Sequence, residues 1–130
     1  MRLAIPAVLT GLLAASPALA TSTIQCTSPD RADLRLFLSV ADAGPTGIAQ
    51  IRITDTGRES VTGTGAGDLR LTQNWVAPLE LRFEVADSQV ENSIARLVAG
   101  RRVDRGPYEG TLRYRDRDIR ISCLWDDDEG

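Results

Sequence analysis

The sequence reads as an all-β domain, an antiparallel meander of seven or eight short strands that closes as a small barrel or folds as a sandwich. Three observations predict it. Apolar and polar residues alternate with a period of two along most of the chain, the pattern of half-buried strands. Turn chemistry built from Gly, Pro and Asp separates the alternating runs. The two cysteines of the 130 residues, Cys26 and Cys123, stand near the two ends of the alternating region, where one disulfide would tie the first strand to the last.

The first twenty residues stand apart. Arg2 supplies a positive start, Leu3 to Ala15 an apolar run, and Ala18-Leu19-Ala20 a small-x-small cleavage site, so 1–20 is expected to be a cleaved signal peptide and Thr21 the first mature residue. The run is short for a bilayer, and no second stretch of about twenty apolar residues follows, so no membrane span is expected. A periplasmic or secreted location follows, and the absence of an N-glycosylation triplet fits a bacterial source.

The strands are then read in order. Ile24 and Cys26 share the inward face of the first. Leu34, Leu36, Leu38 and Val40 alternate with Asp33, Arg35, Phe37 and Ser39 in a clear second strand, and Ala49, Ile51 and Ile53 mark a third. Leu69 and Leu71 begin another, and Leu79, Leu81, Phe83 and Val85 alternate with charged residues in the next. The segment 89–99 has two readings. Ser88 and Glu91 fit a capping box, with Val90, Ile94, Leu97 and Val98 at helical spacing before Gly100. Ile94, Arg96 and Val98 also alternate, and a strand between hairpins is the simpler topology. Leu112/Tyr114 and Ile119/Ile121/Cys123 complete the set, with Asp116-Arg117 as their turn. In that register Leu112 faces Ile121, Gly110 faces Cys123 and Arg113 faces Arg120.

The mature chain has room for one domain, 21–125, followed by an acidic tail, 126–130, expected to be disordered. Every basic residue is arginine, and with no lysine or histidine the chain cannot use Ser-His-Asp, Cys-His or Schiff-base catalysis or histidine-bound zinc. Removing the signal leaves fourteen arginines against eighteen acids, a net charge of −4 that argues against nucleic acid as a partner. The charge is uneven: Arg96 to Arg120 holds eight arginines and four acids, whereas Thr21 to Ala95 holds six arginines and ten acids.

Cys26 and Cys123 are therefore read as a structural disulfide, since a redox pair would want Cys-x-x-Cys spacing. Arg102, Arg105, Arg113 and Arg120 are the candidate anion or acidic-partner site, because arginine forks suit carboxylates and phosphates. The competing reading is a solvated strand face balanced by Asp104, Glu109, Asp116 and Asp118. The tail Asp126-Asp127-Asp128-Glu129 is read as solvated, with a fold-back onto the arginines as the alternative. Gly63-Thr64-Gly65-Ala66-Gly67 lacks the lysine and helix of a phosphate loop and reads as a flexible loop. Trp75 and Trp125 are expected in the core or at a barrel end. Tyr108 is expected over a turn, and Glu80 and Glu84 on the surface.

A signal followed by a small β domain with a cysteine near each end resembles the layout of the C-type lysozyme inhibitors of bacterial envelopes. Their Ser-Gly-x-x-Tyr and Trp-x-x-Lys-Gly motifs have no counterpart here, so no residue role is carried over. The functional expectation is a non-enzymatic protein-binding or inhibitor module that needs no cofactor or metal. A small-ligand carrier using a barrel interior and a carboxylate-based hydrolase are the alternatives.

Overall fold

The computed structural model describes residues 21–41 and 47–126. The expected signal peptide, the Asp42-Ala43-Gly44-Pro45 turn and the tail beyond Asp126 lie outside the described residues. Nine strands form: β1 (Thr21–Thr27), β2 (Leu34–Ala41), β3 (Gly47–Asp55), β4 (Arg58–Val61), β5 (Arg70–Ala77), β6 (Glu80–Ala86), β7 (Ser93–Gly100), β8 (Tyr108–Tyr114) and β9 (Arg117–Trp125). They make one curled sheet in the order β4-β3-β2-β1-β9-β8-β7-β6-β5, every ladder antiparallel. Two meanders, β1 to β4 and β5 to β9, therefore meet along the ladder between the first strand and the last.

That seam holds the disulfide. Cys26 and Cys123 are directly opposed in the β1–β9 register with Cα atoms 4.0 Å apart, and both are fully buried. Closing a loop across 97 residues of sequence stabilises the fold by about 4 to 5 kcal/mol in the chain-entropy model. Such a bridge fits an oxidising compartment.

The free margins of the sheet are stitched together where the regular ladder stops. Leu69 N donates to Val61 O and Gly63 N to Leu69 O, each at 3.0 Å, around a parallel bridge between Thr62 and Leu69. Beyond the end of short β4, the Asn74 side chain of β5 takes the place of a backbone partner for β3. Its Oδ1 accepts from Ile48 N at 2.7 Å and its Nδ2 donates to Ile48 O at 2.9 Å. An amide side chain carries both a donor and an acceptor, so it satisfies a strand edge as a peptide group would.

The inward face is apolar throughout, including Ile24, Leu36, Leu38, Ile51, Leu81, Phe83, Leu97, Leu112 and Ile121. This is what the alternation requires. A register shift between Ser39 and Val40 alters one expectation: Val40 pairs with Ile48 and Ser39 with Gln50, which leaves Ala49 as the extra residue, exposed, and buries Ile48 instead. Leu79 is also exposed, because the β5–β6 turn consumes Pro78 and Leu79 before the ladder starts at Glu80.

The helical reading of 89–99 is not realised, and among the described residues no helix is long and apolar enough to cross a membrane. Asp87, rather than Ser88, collects the free amides: its carboxylate accepts from the backbone N–H of Gln89, Glu91 and Asn92. Val90 has φ 56°, a left-handed conformation that no helix continues, and β7 is ladder-bonded on both sides.

The last hairpin turns at Arg115-Asp116, one residue earlier than expected, which shifts its register by two. Leu112 pairs with Ile119, Gly110 with Ile121, and Tyr108 with Cys123. A shift of two keeps every inward residue inward, so the hydrophobic pattern does not distinguish the two registers. Gly110 is required by its other neighbour: a Cβ there would collide with the Val98 carbonyl oxygen and lie 2.7 Å from the Ala99 Cα.

Candidate functional site

At the end of the sheet where the β1–β2 loop, the β3–β4 turn and the β8–β9 turn meet, a surface cleft of about 370 Å³ is lined by Asp30, Arg31, Asp55, Tyr114, Arg115, Arg117, Asp118 and Ile119. Local bonds fix its walls. Ser28 Oγ accepts from Asp30 N at 3.0 Å, and Leu34 N donates to Arg31 O at 3.1 Å, which sets the bend that leads into β2. Asp55 ends β3 opposite Leu34, and Tyr114 ends β8 on the inward face, so its ring is buried while its hydroxyl reaches the rim.

The polar groups are tied in pairs. Arg31 forks onto Asp33, at 3.1 Å from Nε to Oδ1, and also pairs with Asp55. The Thr56 hydroxyl is shared between Asp33 at 2.7 Å and Asp55 at 2.9 Å. Tyr114 Oη donates to Asp55 Oδ2 at 2.8 Å and accepts from Arg115 Nε at 3.2 Å, with the Arg115 guanidinium 5.4 Å from the Tyr114 ring centre. Asp30 pairs with Arg120 at 2.8 Å and Asp118 with Arg113 at 3.0 Å. Arg117 makes no ion pair or side-chain hydrogen bond among the described residues.

These bonds fix the charge states. Arg31, and after it Thr56, hold the Asp33 carboxyl down at about 2. The Tyr114 hydroxyl, opposed by desolvation and helped by Thr56 and Arg31, lowers Asp55. Burial raises the Tyr114 phenol, and the Tyr114 hydroxyl raises Arg115. Every shift moves its group away from neutral pH. Near neutral pH the two aspartates are therefore ionised, Arg115 is cationic and the Tyr114 phenol is neutral. Among the described residues no cluster of Cys, Asp or Glu is arranged to hold a metal ion.

The arginines singled out by sequence do not converge. Arg113 and Arg120 lie on the outer face of β8 and β9, where Arg113 stands between Arg96 on β7 and Asp118 on β9 instead of facing Arg120. Arg120 is opposite Thr111 and takes Asp30 as its partner. Arg102 and Arg105 are exposed in the β7–β8 loop, at the far end of β8 from Arg113. The cleft residues Arg31, Asp55, Tyr114 and Arg115 carried no signal of their own in the sequence, since they come from three separate loops. The nearest sequence signal was the turn expected at Asp116-Arg117, one residue later than the turn observed.

The remaining candidates are explained by local structure. In the glycine-rich loop, Asp68 Oδ2 accepts from Gly65 N at 2.9 Å and Arg70 bonds the Gly63 carbonyl, so a carboxylate already sits where a phosphate would bind. Glu80 pairs with Arg82 and Glu84 accepts from Thr72, each engaged separately. Tyr108 is buried, with its hydroxyl on Ala77 O at 2.8 Å. Trp125 packs against the core as expected, but Trp75 does not: it is 56% exposed on the outer face of β5.

Trp75 belongs to a pattern. Among the described residues the exposed large hydrophobic side chains are Trp75, Leu79, Val90, Val98 and Val103; the first four fall on β5 to β7 and the turns between them, and Val103 follows in the β7–β8 loop. Trp75 pairs with Arg82 and Arg82 with Val98, so one row of the outer face runs Trp, Arg, Val across three adjacent strands. No protein-family model, curated protein or solved structure matches the chain.

Proposed function

We propose that the chain is an exported, non-enzymatic protein-binding or inhibitor module that docks through the β5–β7 half of its outer face. The observation that carries this reading is that, among the described residues, four of the five exposed large hydrophobic side chains lie on β5 to β7 and the turns between them, with Trp75 and Val98 flanking Arg82. Tryptophan and arginine are the side chains that most often dominate interface energetics, and exposed apolar clusters on small domains mark contact surfaces. The buried disulfide supports an oxidising destination. The carrier alternative is disfavoured because Phe83, Tyr108 and the disulfide fill the inward face. The hydrolase alternative is disfavoured because Asp33 and Asp55 are held ionised.

The test places a photo-crosslinking residue at position 75 and, separately, at position 35 on the outer face of β2. The reading expects a single stoichiometric adduct from 75 and none from 35, and Val98→Asp should abolish it with the fold intact. Equal labelling from both positions, or none from 75, would sink the assignment.

A further inference from the structure

We propose a second, independent site: the cleft beside the β8–β9 turn binds a carboxylate group, held between Arg115 and Arg117. The cleft is lined by three aspartates, which would repel an anion if they were uncompensated, yet each is ion-paired. Asp30 is paired by Arg120, Asp55 by Arg31, and Asp118 by Arg113. Asp33 shares Arg31 with Asp55, and among the described residues neither Arg115 nor Arg117 is ion-paired with a carboxylate. Arg115 spends its Nε on the Tyr114 hydroxyl, which leaves the outer edge of its fork unengaged, and Arg117 makes no bond to a described side chain.

The turn supports the same assignment. Arg115 and Asp116 have φ of 49° and 70°, so both central residues of this two-residue turn are left-handed, positions where Asn-Gly is the favoured pair. Arginine gains nothing there as a turn former. It does gain direction: Tyr114 holds its Nε at 3.2 Å and keeps the guanidinium against the rim of the cleft. A planar fork fixed on one side and open on the other matches the two oxygens of a carboxylate. A phosphate dianion fits less well, because the neighbouring aspartates, although paired, still bear on a second negative charge. The chemical class is a monocarboxylate, of the kind a peptide presents at its C-terminus.

The test follows the arginine Nε–H and backbone amide resonances of the folded protein during titration with N-acetylglycine, with its neutral amide, and with inorganic phosphate. Saturable shifts at Arg115 Nε–H and the Asp116 amide are expected with N-acetylglycine, with none from the amide and at least fivefold weaker binding of phosphate. Arg117→Ala, read at Arg115 Nε–H, and Arg115→Gly, read at Arg117 Nε–H, should each weaken binding about tenfold while leaving the spectrum of the β5–β7 half unchanged. Glycine suits the left-handed position, so the second variant keeps the turn. No saturation with N-acetylglycine, equal response to the amide, phosphate binding as tight as carboxylate, or unaltered affinity in both variants would overturn the proposal. None of these results bears on crosslinking at position 75, so the two sites succeed or fail separately.

Discussion

Tyr114 on β8 donates its hydroxyl to Asp55 on β3 at 2.8 Å, joining residues 59 apart in sequence that belong to different meanders. In sheet order β3 and β8 are separated by β2, β1 and β9, so the bond closes one end of the curl across its interior. Tyr114→Phe should lower stability by about 1.5 to 3 kcal/mol, the range for a hydrogen bond to a charged group. The phenol is raised by burial, so the neutral form is the one the fold favours. That stability is complete below the ordinary tyrosine value near 10 and is lost as pH climbs through the higher folded value. Urea midpoints at pH 7 and above 10 should therefore fall for the parent chain on the alkaline side and fall less for Tyr114→Phe.

Acid acts in the reverse sense. Asp33 is depressed from 3.8 to about 2, and Asp55, Asp30 and Asp87 are also lowered. A depressed carboxyl contributes stability that is present above its unfolded value and disappears as pH falls through the folded one. The urea midpoint should stay level down to about pH 5 and drop between about pH 4 and 2. Asp33→Asn should start lower and show a shallower drop over that window; an identical profile would mean that the Arg31 fork contributes nothing.

The strands were legible because alternation is a local signal, and β2 and β6 show why: each places its core residues two apart, with Arg35, Phe37 and Ser39 between them in β2 and Arg82 and Glu84 in β6. β4 was not legible, since Arg58-Glu59-Ser60-Val61 has no apolar face and exists only because β3 offers an edge. The final register escaped because both candidate registers bury the same residues, and Arg115-Asp116 does not look like a left-handed turn. Trp75 was misplaced for a related reason: Leu71 and Val76 pack against the core, while a shift between Leu71 and Gln73 changes which side chains of β5 face out. The cleft depends on contacts such as Asp30 with Arg120, 90 residues apart, for which a sequence carries no spacing signal.

Gly110 gives a sharp packing test. Because a Cβ there meets backbone, not the end of a flexible side chain, relief requires β7 and β8 to separate. Gly110→Ala should cost about 3 kcal/mol or prevent folding. Gly67 has open space around its Cβ direction and no positive φ, so Gly67→Ala should be neutral or stabilise by up to about 1 kcal/mol through the unfolded state. Thermal melting of the two variants checks the contrast, and equal effects would refute the close approach.

The β8–β9 turn is strained where it need not be for folding. Asp116, at φ 70°, holds a side chain in a conformation that glycine adopts freely. Asp116→Gly should raise stability by about 1 kcal/mol without altering the Leu112–Ile119 register. A chemical-denaturation midpoint that moves down instead would show that the Asp116 side chain is itself a stabilising contact.

The disulfide guards the weakest junction. The β1–β9 ladder spans four residue pairs, Ile24 to Thr27 against Trp125 to Ser122, whereas β1 meets β2 over seven. Those four pairs are the whole backbone connection between the two meanders on that side of the sheet, and Cys26–Cys123 lies among them. Reduction should therefore remove about 4 to 5 kcal/mol and lower the melting midpoint by roughly 20 °C or more. Its effect should also be local. In reduced protein below the new midpoint, amide exchange should accelerate first at the four-pair β1–β9 seam and only later in β6 and β7, each bonded on both sides over six or seven pairs. Uniform acceleration across the sheet would show that the meanders unfold as one unit, and an unchanged midpoint would show that the seam holds without the bridge.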